Sequence, residues 1–115
     1  MDLGKFLDDY TNDVYLSRNP EAARRYIADP CLRHEHGELI VMGIEENIAR
    51  VRAFLDQFPS IDFTNRCVVA DGDHVASCFD LRMGDHFVSA VEVFKIVDGR
   101  IAETWNTKPA PGPWG

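Results

Sequence analysis

One carboxylate lies in a predicted strand whose other residues on the same face are apolar or small. In FVSAVEVFKIV, residues 87–97, alternate residues from Val88 share a face made of Val, Ala, Glu, Phe and Ile. Burying a carboxylate is unfavourable unless it is paired or neutralised. An apolar pocket raises a carboxyl pKa toward neutrality, where a general acid or base works best. Glu92 is therefore the first catalytic candidate. The alternatives are a buried carboxylate satisfied by Thr104, Asn106 or a histidine, or a register that places it outside.

Histidines are the second group of residues that could do chemistry. In the segment LRHEH, a predicted strand places His34 and His36 on one face and Arg33 and Glu35 on the other. A histidine beside Glu92 would form a dyad in which the carboxylate fixes the imidazole tautomer. His34 is the candidate for that role, and a satisfied core histidine is the alternative. A His-x-His pair also suits zinc, but no third ligand follows at a recognisable spacing, so we expect no metal.

Three helical segments are predicted before a run of strands. Apolar residues recur at helical spacing over 3–17 and 44–58, and Asn19-Pro20-Glu21 begins a short helix that continues to Ile27. A short strand is predicted at 31–36. From residue 61 the apolar period changes to two, which predicts strands at 61–70, 73–83, 86–97 and 100–108. This order indicates an α+β fold, with three N-terminal helices packed on one face of a curved, mostly antiparallel sheet.

The turns ADGD, MGDH and VDGR fix how these strands pair, and so which residues share the face of Glu92. The loop at 97–99 sets Glu92 across from Thr104. The predicted face comprises Ile61, Phe63, Asn65, Cys67, Val75, Ser77, Phe79, Leu81, Phe94, Ala102, Thr104, Asn106 and Lys108. A few polar groups that converge on an apolar concave surface are typical of a small-molecule pocket.

Six residues are candidates for holding a ligand in this pocket. Three have hydrogen-bonding side chains and three supply aromatic surface. They are Asn65, Thr104 and Asn106, and Phe79, Phe94 and Tyr10. Their alternative roles are cross-strand hydrogen bonds for the polar three and core packing for the tyrosine. No Gly-rich phosphate loop, nucleotide fingerprint or Gly-x-Ser-x-Gly elbow is present, so no cofactor is expected.

The opposite face of the predicted sheet is too apolar for open water. It comprises Val68, Ala76, Cys78, Val91, Val93, Ile101 and Trp105, with some charges. The simplest cover for such a face is a second copy of the chain across a two-fold axis. We therefore expect a homodimer through this outer sheet face, with Val91, Val93 and Trp105 at the interface.

Composition limits the class of protein and its partners. A chain of 115 residues that is 45% hydrophobic fits one globular domain, 1–115. The net charge is −7 and the basic residues do not cluster, so neither a nucleic acid nor a membrane is expected as a partner. There is no apolar leader, and the three cysteines form no CxxC pair. Together these features predict a cytoplasmic protein with free thiols that act as small buried hydrophobes.

The chain carries several segments that resemble a known family. VEVFKIVDGRIAETWN combines an acidic residue, an apolar-aromatic-basic run, a DG turn and a tryptophan. With YIADPCLRHEHGE, FLDQFPSIDF and VADGDHVASCFDLRM, the resemblance covers essentially the whole chain. The chain resembles the SnoaL-like branch of the NTF2-like superfamily, whose cone-shaped α+β fold is shared by polyketide cyclases and ketosteroid isomerases. His34 looks like the histidine of that family's first strand.

The resemblance implies a function in general terms. It implies a cofactor-independent acid/base enzyme, of cyclase, isomerase or dehydratase type, that acts on a small, mostly apolar carbonyl compound. Glu92 and His34 would be catalytic. The family's usual Asp is Glu92 here, and Asn106 and Thr104 stand where Asp and His are commoner, which argues against a second carboxylate at the chain end. The alternatives are a non-catalytic small-ligand-binding module and an interaction domain whose cone is filled by Phe63, Phe79 and Phe94.

Overall fold

The computed structural model describes all 115 residues and has a short helical layer against one sheet. The first helix begins at Asp2, whose carboxylate accepts a hydrogen bond from the amide of Lys5 and so caps the helix. The predicted single helix over 3–17 is divided into two segments. The α-helix ends at Tyr10, and a π-helical turn, Thr11–Leu16, follows. A 3-10 turn, Pro20–Ala22, precedes the second helix. The helices are α1 (Leu3–Tyr10), α2 (Ala23–Tyr26) and α3 (Ile44–Gln57).

Seven strands form the sheet, in the order β2-β1-β6-β5-β4-β3, with β7 paired to β5. Only β1 and β6 run parallel, and the other neighbours are antiparallel. This arrangement confirms the predicted α+β fold. The strands are β1 (Ile27–Glu35), β2 (Glu38–Met42), β3 (Ile61–Asp71), β4 (His74–Met83), β5 (His86–Val97), β6 (Arg100–Asn106) and β7 (Ala110–Pro111).

Strand β2 is an addition to the predicted set of elements. It pairs with β1 through the two-residue turn His36-Gly37, where both residues have positive φ, 53° and 79°. Two successive positive φ values match the type I′ hairpin turn, which suits the twist of antiparallel strands. The dipeptide His-Gly is a weaker signal for this turn than Asn-Gly, so the hairpin was absent from the prediction.

The predicted register holds between β4 and β5 but changes at two bulges. Ser77 lies across from Glu92, as the two-residue turn predicted. The turn at Asp98-Gly99 has two residues instead of the predicted three, and the β5–β6 ladder shifts by one more residue between Lys95 and Ile96, so Glu92 pairs with Asn106. The predicted pairing of Glu92 with Thr104 is therefore wrong, although both still face the helices.

The bulges also move residues between the two faces. Ile101, predicted on the outer face, pairs with Ile96 and is buried. A second bulge after Asn65 leaves Cys67 exposed opposite Cys78. The predictions that Cys67 faces the core and is buried are wrong, because one extra residue reverses the alternation of a strand.

The hydrophobic core lies between the helices and the inner face of the sheet. The buried apolar side chains include Leu7 and Val14 from the first helical segment and Ile48 from α3, which pack over Val75 and Phe94 of the sheet. No helix is both long and apolar enough to cross a lipid bilayer. The core occupies one end of the space between the layers, and the other end is open.

Candidate active site

A cavity of about 630 Å³ lies between the helices and the inner face of the sheet. This volume is within the range of small-molecule sites. Its apolar walls include Phe63 and Phe79, whose rings stack with centroids 4.8 Å apart. The idea that Phe63, Phe79 and Phe94 fill the cone is wrong, because these side chains line an open cavity. Of the predicted ligand contacts, five line it: Tyr10, Asn65, Phe79, Phe94 and Asn106.

Glu92 faces this cavity from the centre of the sheet. Its cross-strand neighbours are Ser77 on β4 and Asn106 on β6, and its remaining exposure is toward the cavity. Burial, the largest effect, and the nearby Glu35 together raise the pKa of Glu92 to about 7, against the opposing effects of Arg33, Arg50 and Asn106. A carboxyl with a pKa near neutrality can either take or give a proton at physiological pH.

An ion pair on β1 stands beside Glu92. Arg33 holds Glu35 in a fork, with Nε and Nη2 donating to the same Oε1 at 3.2 and 2.8 Å. That oxygen also accepts a hydrogen bond from Asn106 Nδ2 at 3.3 Å. Burial alone would raise the pKa of Glu35, but the hydrogen bonds and the charge of Arg33 lower it below its usual value. Glu35 is thus an anion, and Glu92 is the cavity carboxyl that can change its charge near neutral pH.

A second arginine reaches the cavity from α3 without a carboxylate partner. Arg50 Nη2 lies 3.5 Å from both Tyr15 Oη and Asn47 Oδ1, and its Nε is sealed from solvent with no partner. Tyr15 raises the pKa of Arg50 more than burial lowers it, and Tyr10 and Glu92 add to the effect. Arg50 is therefore a cation at every pH at which the protein is folded.

The amide of Asn65 lines the cavity but is already engaged on both sides. Its Oδ1 accepts a hydrogen bond from Ser77 Oγ at 2.7 Å, and its Nδ2 donates to Asp8 at 3.3 Å. Asn65 therefore has one N–H and one lone pair left for a ligand.

Tyr10, which also lines the cavity, is uncharged. Burial raises the pKa of Tyr10 well above its usual value, so its hydroxyl stays neutral.

Two predicted site residues lie away from the cavity. His34 is on the outer face of the sheet, where Nε2 lies 2.6 Å from Glu103 Oε2 and the ring stacks on Trp105 with centroids 5.1 Å apart. The predicted His34–Glu92 dyad is wrong, because β1 presents the alternate residues to the cavity. Thr104 is only 1% exposed, does not line the cavity, and has a hydroxyl without a partner. The prediction that Thr104 positions a ligand is also wrong.

Sequence reasoning missed three charged residues of the site, although signals for them exist. The alternation in LRHEH already put Arg33 and Glu35 on the face opposite His34. Assigning that face of the strand to the cavity would have identified both residues. Arg50 lies three residues after Asn47, which is fully buried, and four before Phe54, which lines the cavity. That spacing places Arg50 on the inner face of α3. No three His, Cys, Asp or Glu side chains converge in a way that could hold a metal.

Solved structures with the same architecture come from several bacteria. A candidate polyketide cyclase from Acidithiobacillus ferrooxidans superposes with a TM-score of 0.77 at 22% identity, over 89% of this chain and 84% of that one. A candidate ketosteroid isomerase from Kribbella flavida gives 0.71 at 21%, over 94% and 82%. An epoxide hydrolase from M. tuberculosis gives 0.70 at 18%, over 90% and 79%. At these identities the likeness shows the fold alone.

The family is defined by a sequence match rather than by these superpositions. No curated protein matches the chain. The profile of the SnoaL-like domain matches residues 7–104, which is most of the chain and includes both Glu92 and the arginines beside it. The expected resemblance is confirmed, and the chain belongs to the SnoaL-like domain family.

Proposed function

We propose that the chain is a cofactor-independent acid/base enzyme that acts on a small, mostly apolar carbonyl compound. The observation that carries this proposal is Glu92, a carboxyl with a pKa of about 7 at the centre of a largely apolar cavity. Glu92 moves a proton at the carbon next to a carbonyl, or donates it to the enolate oxygen. The reaction is of the isomerase, cyclase or dehydratase type.

Other side chains of the cavity support this chemistry. Phe79 and Phe94 supply apolar walls that exclude water, and Asn106 lies beside Glu92 to orient the ligand. Arg50, a cation without a carboxylate partner, favours a ligand on which negative charge is present or develops. No histidine is needed beside Glu92, because burial and the nearby charges already bring its pKa to about 7.

The test measures proton transfer directly, without knowledge of the natural substrate. The protein is incubated in D₂O with apolar ketones such as 1-tetralone and cyclohex-3-enone, and deuterium uptake at the carbon next to the carbonyl is followed by proton NMR. We expect uptake above the buffer rate that falls about 10²-fold or more in Glu92→Gln. The matched control is Glu103→Gln, because Glu103 is the carboxylate that pairs with His34 on the outer face.

A different result would support the rival function. If ketones bind but wild type and Glu92→Gln exchange at the same rate, the cavity is a non-catalytic small-ligand-binding site. A supporting observation for that reading is that the amide of Asn65 is already hydrogen bonded on both sides. Binding without exchange across the ketone series would contradict the enzyme proposal.

We also propose that the chain forms a homodimer through the outer face of the sheet. Val91 and Val93 are partly exposed there, and Trp105 forms a flat surface with the rings of His34 and His74. A shallow groove of about 340 Å³ crosses the same region. An aromatic and aliphatic surface of this kind suits the centre of a two-fold interface.

A further inference from the structure

Cations that line the cavity differ in whether they have a partner. Arg33 is neutralised by Glu35 at 2.8 Å, and Lys108 is exposed at the mouth. Arg50 has no carboxylate within 4 Å. Arg24, Arg25, Arg52 and Arg66 each have a carboxylate within 4 Å, and the other arginines without one, Arg18, Arg82 and Arg100, are exposed at the surface. The cavity of a protein with net charge −7 therefore contains one guanidinium without a counter-ion.

Glu92 is not the counter-ion of Arg50. It forms no ion pair with Arg50, and burial keeps a large fraction of its carboxyl protonated at neutral pH. The contacts of Arg50 with Tyr15 and Asn47 are both to neutral oxygens at the outer limit of hydrogen-bond distance. The terminal nitrogens of Arg50 are thus poorly satisfied by the protein itself.

A ligand that fills the cavity removes the terminal nitrogens of Arg50 from solvent. A hydrocarbon or a simple ketone that fills the cavity would leave the cation with too few acceptors, which weakens binding. An ionised carboxylate has two oxygens that match the fork of an arginine. Arg50 is the one cation inside the cavity without a carboxylate, and Lys108 is exposed to solvent at the mouth, so one carboxylate group on the ligand suits the site.

We propose that the ligand of this cavity is an apolar carbonyl compound that also carries one ionised carboxylate, and that the carboxylate binds to Arg50. This inference rests on the proposed function, because it names the substrate class of the same site. It also assigns Arg50 as a specificity-determining residue. The apolar part of the ligand lies against Phe63, Phe79 and Phe94.

Binding of such an anion has a consequence for Glu92. Arg50 is one of the cations that lower the pKa of Glu92, so neutralising Arg50 raises that pKa. Glu92 then holds its proton in the complex and acts first as an acid, which fits donation to an enolate or to a leaving hydroxyl. The complex should therefore take up protons from buffer at pH values around the pKa of free Glu92, about 7.

The experiment compares matched ligands in the whole protein. Benzoate, 2-naphthoate and anthracene-2-carboxylate are titrated against their methyl ketone analogues, with affinities from calorimetry. We expect the best carboxylate to bind at least ~10-fold more tightly than its ketone. Arg50→Met should remove the preference and Arg50→Lys should keep part of it. Arg52→Met, on the exposed side of α3, should leave it unchanged.

Two further outcomes keep the test decisive. If Arg50→Met does not fold by circular dichroism, proton uptake by wild type is measured in buffers of different ionisation enthalpy. Greater proton uptake with the carboxylate than with the ketone supports the proposal, because the ketone buries Glu92 further but neutralises no cation. Equal affinities, an unchanged preference in Arg50→Met, or failure of every carboxylate to bind would overturn it. Absence of deuterium exchange would count against catalysis and would leave this preference standing.

Discussion

Glu92 and Asn106 lie directly opposite each other on β5 and β6, and this pairing connects the buried carboxyl to the ion pair on β1. Asn106 donates a hydrogen bond to the carboxylate oxygen of Glu35 that Arg33 also holds. One electrostatic unit thus comprises four side chains on three adjacent strands: Arg33, Glu35, Glu92 and Asn106. The charge state of Glu92 should therefore respond to changes at residues that do not touch it.

Removal of either member of the β1 ion pair should shift the pKa of Glu92, in opposite directions. Arg33→Gln removes a cation that favours the ionised form, so the pKa should rise above about 7. Glu35→Gln removes an anion that opposes ionisation, so the pKa should fall. Carbon-13 NMR of glutamate-labelled protein measures both, with Glu92→Gln to assign the signal.

The control for this pair is Arg82→Gln. Arg82 lies over Phe87 with its guanidinium carbon 4.6 Å from the ring centroid, away from the cavity. It should leave the titration of Glu92 unchanged. Shifts of the same sign in Arg33→Gln and Glu35→Gln would contradict the electrostatic unit described above.

The raised pKa of Glu92 also predicts how stability depends on pH. In the folded chain the carboxyl holds its proton up to about pH 7, whereas an unfolded glutamate loses it near its ordinary value of 4.5. The contribution to stability is fully present below that ordinary value and is lost as pH rises through about 7. Between about pH 5 and pH 8, Glu92 should therefore cost the folded state about 2–3 kcal/mol.

Urea unfolding at about pH 5 and about pH 8 measures the contribution of Glu92 to the free energy of unfolding. Glu92→Gln cannot ionise, so its free energy of unfolding should fall less than that of wild type between the two pH values. The difference between the two proteins cancels the effect of every other titrating group. A wild type and a variant with parallel pH dependences would mean that Glu92 titrates normally in the folded chain.

Local sequence signals predicted the fold and the central carboxyl, but two kinds of feature escaped them. The turn at Gly84-Asp85 set the β4–β5 register correctly because its length and glycine position define one geometry. Bulges leave no comparable signal, since an extra residue in a strand changes no residue type. The ladder shift next to Lys95 was therefore invisible. Together with the two-residue turn at Asp98-Gly99, which was predicted as a three-residue loop, it produces the pairing of Glu92 with Asn106.

The second feature that escaped prediction from the sequence is which of the two faces of β1 meets the cavity. The alternation in LRHEH separated His34 from Arg33 correctly, but alternation alone does not say which side meets the cavity. That choice depends on the parallel pairing of β1 with β6, a contact between residues about 70 positions apart. Buried arginine is also rare, so the pattern of α3 gave little reason to place Arg50 in the cavity.

Thr104→Val should stabilise the protein. The hydroxyl of Thr104 is buried without a hydrogen-bond partner, and valine keeps nearly the same shape without that unsatisfied group. We expect the free energy of unfolding to rise by about 1 kcal/mol, measured by urea titration. Ligand affinity should not change, because Thr104 does not line the cavity. A loss of both stability and affinity would instead indicate a hydroxyl that has a partner in solution.

The proposed dimer predicts a variant that separates the two subunits. Val93→Glu places a charge at the centre of the outer face, and a dimer would have to bury two such charges near its two-fold axis. Sedimentation velocity should give about twice the chain mass of 13.0 kDa for wild type and a single chain for the variant. Leu16→Glu is the control, since Leu16 is 40% exposed and belongs to the helical layer.

Two outcomes would contradict the proposed interface. A wild type that sediments as one chain at all concentrations would mean that there is no dimer, and a Val93→Glu protein that remains dimeric would mean that the interface lies elsewhere. Deuterium exchange by the monomeric variant would further show that each cavity works within a single chain.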